Sequence, residues 1–171
     1  YGLEDPAISG ADVASITSAI ITDGTQHGGF LYTYAQVCLA MSEAALKGWG
    51  VSGDAQTWYE LGIKASMDQW GVSAADATTY IASAPAVSKK NMAMEKWVAL
   101  WLQGYESWAE WRRLDFPNDL SAPAAALSGT GIPVRHGYSA QTISNNEANY
   151  DAAVSLQGPD TQDTKLWWDT K

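Results

Sequence analysis

Two carboxylates at helical spacing, Glu106 and Glu110, lie among tryptophans in the run MAMEKWVALWLQGYESWAEWRRLDFP, residues 92–117. A pair of carboxylates about 5–5.5 or 6.5–9.5 Å apart across a glycosidic bond is the machinery of glycoside hydrolysis. Positions i and i+4 instead set the two groups side by side on one helix, so a helical glycoside hydrolase fragment stands only as an alternative. Other reactive residues are sparse. His27, His136 and the lone Cys38 offer no Ser-His or Cys-His nucleophile pair and no clustered zinc ligands. Asp160 and Asp163 lack the spacing of an EF-hand loop, and no Gly-rich phosphate loop is present. No catalytic residue, metal or cofactor is assigned.

What the chain does have is rings. Nine Trp and eight Tyr combine an apolar face with a hydrogen-bonding edge, which suits a sugar platform and a plain core equally. In the central run, Met94, Trp97, Val98, Trp101, Tyr105 and Trp108 recur every three or four residues. That spacing predicts one continuous helix enclosed on most sides. Trp97, Trp101 and Trp108 are then core residues, and Gly104 marks close approach by another backbone or a large ring. On this reading Trp101→Ala costs about 3–5 kcal/mol. The rings least needed by the stripe are Trp49, after the Gly48 cap, and Trp70, before Gly71. Both sit at helix ends beside loops, where an exposed face can stack on a sugar. They are the candidate ligand-binding residues; the alternative is that each closes its hairpin by packing on the next helix. Little or no quenching by oligosaccharide is expected from the chain alone.

The elements that hold these residues can be read in order. Residues 1–29 carry one short helix or strand in the apolar run Val13 to Ile21, with turns at Asp23-Gly24 and Gly28-Gly29 and a solvated His27 between them. Residues 30–48 form a helix, with Leu31, Tyr34, Ala35, Cys38, Met41 and Ala45 on one face and Gly48 as its C-terminal cap. Asp54 caps the next, completing an antiparallel hairpin, and WYELG partly fits the opening of a tetratricopeptide helix. Ser73 and Asp76 open a third helix that stops at Pro85, and Ser88 or Asn91 caps the central one. Pro117 ends the central helix. Arg112 and Arg113 in its last turn oppose the helix dipole and can pair with Asp115 or Glu110. LSAPAAALSGTGIPVRHGYSAQ reads as an ordered loop, SNNEANYDAAVSL as a short helix from Asn145 or Asn146, and Trp167 and Trp168 as rings docked on the body.

With 171 residues and 46% hydrophobic content, one core and one domain over 1–171 are expected. The fold class is mainly α: a helical core at 30–117 and a loop-rich closing segment at 118–171. A net charge of −9 and a pI near 4.4 repel phosphate backbones and anionic membrane surfaces, which argues against nucleic acid as a partner. No stretch reaches the ~20 apolar residues of a membrane span.

The run EKWVALWLQGYESWAEWRRLDFP, followed by IPVRHGYS, NNEANYDAAV and a terminal KLWWD, resembles the closing segment of the SusD/RagB family of surface nutrient-binding lipoproteins. It is most similar to the branch ending in Trp-Trp-Asp. YTYAQVCLAMSEAALKGWG resembles the same family's YAEVLLMYAEAL-like helix. The resemblance implies tetratricopeptide-like helical hairpins around the Trp-rich helix. It also implies non-catalytic binding of oligosaccharide or a similar nutrient at the outer-membrane surface of a Gram-negative bacterium. Delivery is to a SusC-like TonB-dependent transporter, and attachment is through a lipid anchor that this chain does not carry. Only the C-terminal part of the family is covered, and no ligand contact of the family transfers to a numbered position. A purely structural helical scaffold is the remaining alternative.

Overall fold

A computed structural model describes residues 30–122 and 131–170. The expectations for Val13 to Ile21, for the turns around His27 and for part of the loop after Pro117 lie outside these residues. The larger of two units begins at Tyr34. Among its described residues are seven α-helices and no strand: α1 Tyr34–Leu46, α2 Ala55–Gln69, α3 Ala74–Ser83, α4 Lys89–Ala99, α5 Gly104–Leu114, α6 Ala140–Asn145 and α7 Glu147–Gln157.

Local chemistry sets most of the boundaries. The N–H groups of Gly48 and Trp49 donate to the carbonyls of Ala45 and Ala44, and Gly48 has φ 71°. This is the glycine-terminated stop expected of a Schellman motif. Gly71 repeats it at the end of α2, where Gly71 and Val72 donate to Asp68 and Met67. Asp54 accepts from the Thr57 N–H at 2.9 Å, Ser73 from Asp76 at 3.2 Å and Ser88 from Asn91 at 3.1 Å, each satisfying an orphan donor of a first turn. Ser88 is thus the cap of α4, and the Asn91 amide reaches back to the Ala86 carbonyl. Asn146 is the N-cap of α7, and the six-residue α6 before it has no helical stripe in the sequence to announce it.

α1 and α2 form the expected antiparallel hairpin. Leu39 lies over Gly62, while Ser42 Oγ donates to the Ala55 carbonyl three residues further along α1 and seven back along α2. Both α1 and α2 also pack on α4. The core combines Ala35 and Leu39 of α1, Tyr59 and Ile63 of α2, Met92, Ala93 and Ala99 of α4 and Leu114 of α5. Cys38 is fully buried beside them.

The central helix is two helices. After Ala99 the N–H of Leu100 caps α4 on the Lys96 carbonyl, Leu102 takes the left-handed region at φ 67°, and Gln103 donates to Leu100. The turn buries Leu100 and turns its neighbours outward: Trp101 is 58% exposed, and Val98 and Tyr105 are exposed as well. Trp97 and Trp108 are half-buried. Gly104 opens α5, and a Cβ built there meets nothing within 4 Å, so it marks no close approach. α5 ends at Leu114, where Asp115 takes a left-handed cap at φ 66°. The tryptophan stripe is therefore not the core. Trp101→Ala is accordingly expected to change the unfolding free energy read from chemical denaturation by less than about 0.5–1 kcal/mol, against the several expected of a buried ring. A loss as large as that of a core substitution would place Trp101 inside.

Candidate functional site: an aromatic groove beside α5

Tyr105, Trp108 and Arg112 share one side of α5, at the three- and four-residue steps that align side chains along a helix. The segment IPVRHGYS lies against that side. Trp108 donates its indole N–H to the Pro133 carbonyl at 2.6 Å, and Arg112 donates to the Val134 carbonyl at 2.7 Å. On its other flank the segment is held by the tail, since Val134 N–H donates to the Gln162 carbonyl and Arg135 Nη2 donates to Asp160 Oδ1 at 2.7 Å. Asp160 also accepts from the Tyr138 N–H, and the Tyr138 ring meets Tyr150 of α7 edge-on, 5.6 Å between centroids.

Between α5 and this segment is an open groove of about 430 Å³, lined by Tyr105, Trp108, Ile132, Pro133, Arg135 and His136. That size suits a small-ligand site, as does a mostly apolar wall with a few polar groups. The His136 ring lies 5.3 Å from Trp108 and 6.3 Å from Tyr105, and Tyr105 is 77% exposed. One face of Trp108 is covered by the Arg112 guanidinium, 3.8 Å from its centroid, a cation–π contact that holds the ring in place. Burial pushes the Arg112 pKa down, with the Asp169 charge opposing. The same guanidinium lies 5.3 Å from Trp168, which is itself 41% exposed. Trp167 stays in solvent, contrary to expectation.

The carboxylates of the sequence reading sit elsewhere. Glu106 is exposed at the start of α5. Glu110 is engaged by Lys96 at 3.2 Å and Arg113 at 2.7 Å, in a network in which Arg113 also grips Glu43 of α1. Neither lines the groove, so the glycoside hydrolase alternative finds no acid–base pair across it. Arg113 makes the Glu110 pair expected of it, while Asp115 faces Lys89 at 3.8 Å. Asp160 is occupied by Arg135, and no cluster of potential metal ligands occurs among the described residues.

Trp49 and Trp70 are not brought together. They lie at opposite ends of α2, whose 15 residues span about 22 Å. Trp49 is 63% exposed with the Lys47 ammonium 5.1 Å from its ring, an arrangement open on one side. Trp70 is half-buried at the cap of α2. Neither reaches the groove. The rings that do line it were readable only as core residues, because a helical stripe gives no sign of which side a neighbouring segment covers.

Residues 2–139 match the SusD-like family described as starch-binding and associating with the outer membrane. Among solved structures, a SusD-like protein from Bacteroidetes AC2a is 33% identical with a TM-score of 0.74 over 84% of this chain. A chitin-binding SusD homologue from Flavobacterium johnsoniae is 27% identical with a TM-score of 0.68, and a SusD-like protein from Bacteroides thetaiotaomicron is 26% identical with the same score, each over 80% of this chain. The chain spans only 31% of the first and 36% of the other two. No curated protein matches it. The helical arrangement matches that of these SusD-like structures. The chain belongs to the SusD-like family.

Proposed function

We propose that this chain is part of a protein that binds oligosaccharide at the outer-membrane surface without chemical turnover and passes it to a SusC-like TonB-dependent transporter. The observation that carries the reading is the groove beside α5, where exposed rings and a few hydrogen-bonding edges meet in a space of sugar size. Support also comes from the family's starch-binding description and from the chitin-binding relative. Trp49, exposed at the α1–α2 turn, is a second and separate platform; Trp70, half-buried, is a poorer one.

Tyr105, Trp108 and His136, the rings that line the groove, belong to this chain, so the chain itself can be titrated. Saturable quenching of tryptophan fluorescence by maltoheptaose or N-acetylchitohexaose is expected, with Kd of about 1 mM, or about −4 kcal/mol, because one open groove buries little of a ligand. Trp49→Ala should leave the signal in place if the groove is the site. No response to any oligosaccharide in a mixed panel would sink carbohydrate binding, and release of shorter products on long incubation would sink the non-catalytic reading.

A further inference from the structure

We infer that the groove selects uncharged sugar units over uronate-bearing ones through the guanidinium of Arg135 in its wall. The inference rests on the carbohydrate-binding reading and names the ligand class. The Arg135 side chain is only 5% exposed. Nη2 donates to Asp160, Nε donates to the His136 carbonyl at 3.0 Å, and Nη1 is buried with no hydrogen-bond partner. A guanidinium has five donors and no acceptor, and a buried donor left unmade is unfavourable. Beside an open groove, a ligand oxygen is the natural acceptor.

The charge balance decides which oxygen. Asp160 already neutralises Arg135, and both are nearly enclosed. A hydroxyl or an amide carbonyl satisfies Nη1 and leaves the pair neutral. A carboxylate must shed its water and then sit beside the Asp160 charge in a site of low polarity, where its desolvation is not repaid by a cation already matched. The net charge of −9 adds to the repulsion. Tyr105 and His136, tilted 46° to each other, offer their faces to an uncharged ring.

The test compares N-acetylchitohexaose and maltoheptaose with hexagalacturonate at pH 7, by tryptophan fluorescence and calorimetry on the chain. The uncharged oligosaccharides should bind at least tenfold more tightly. Tyr105→Ala, at an exposed position that the fold does not need, should weaken them tenfold or more. Asp160→Asn leaves Arg135 uncompensated and should narrow or reverse the preference. Gln162→Lys adds a cation at the exposed rim and should narrow it too, giving a second readout if the Asp160 variant does not fold. Equal or tighter hexagalacturonate binding by the wild type overturns the inference, as does an unchanged preference in Gln162→Lys. If uncharged sugars bind and Tyr105→Ala makes no difference, carbohydrate binding stands and the groove assignment fails. If nothing binds, both fail.

Discussion

Leu39→Ala is expected to destabilise the fold by about 2–5 kcal/mol, the range of a fully buried leucine removed from a core that relaxes only in part. Leu39 has no exposed surface and packs across the α1–α2 hairpin onto Gly62, where a Cβ would stand 2.6 Å from Leu39 Cγ and 2.8 Å from Cδ2. Gly62 is thus the position at which two helix backbones come together. Alanine there brings a helix-propensity gain of about 1 kcal/mol against an overpacking cost of about 1–3 kcal/mol, for a net loss in the wild type. In the Leu39→Ala background the clash is gone and the new methyl partly refills the space, so Gly62→Ala should turn neutral or stabilising. Urea denaturation of the four proteins of this cycle reads the coupling, expected at about 1 kcal/mol or more. Additive costs would mean that the two side chains do not meet.

Lowering the pH from 7 to 2 is expected to remove about 3 kcal/mol of stability held by Glu43. Burial alone would raise the pKa of this carboxyl. Hydrogen bonds from Arg113, with both Nη atoms at 2.5 Å, and from Lys47 at 2.7 Å overcome that and bring it from 4.5 to about 2. The folded protein therefore holds this proton less tightly than the unfolded chain. The stabilisation is complete above about pH 4.5 and disappears as the pH falls through about 2. Glu95 acts in the opposite sense: burial raises its pKa, opposed by the Tyr80 hydroxyl at 2.7 Å, so acidification relieves a cost there. Glu43→Gln should be less stable by about 3 kcal/mol at neutral pH and should converge on the wild type near pH 2. Parallel curves for the two proteins would show that the contact between α1 and α5 is not coupled to protonation.

Features decided within four or five residues were legible before any fold was known. Asp54, Ser73 and Ser88 cap helices because a short side-chain oxygen reaches an N–H three positions on. Gly48 and Gly71 end helices because only glycine enters the left-handed region without steric cost. The motifs that resemble the SusD-like family were legible for a different reason: they are strings of residue types, and reading them requires no geometry. The break at Leu100–Gln103 was not legible. The apolar period runs straight through it, and the left-handed residue is a leucine, in a turn that buries Leu100. One turn in the chain thus moved Trp101 and Tyr105 from an expected core to the surface. The groove was still less accessible to a reading along the chain. Trp108 and Pro133 are 25 residues apart, as are Arg135 and Asp160, and Arg113 and Glu43 are 70 apart. The sequence by itself determined those helix ends that carry a side-chain cap or a glycine stop, and which family the chain resembles, since local hydrogen bonding and residue identity settle both. Only the tertiary structure decided which rings face the groove and which charges are already matched, because both depend on partners that the chain brings together solely by folding.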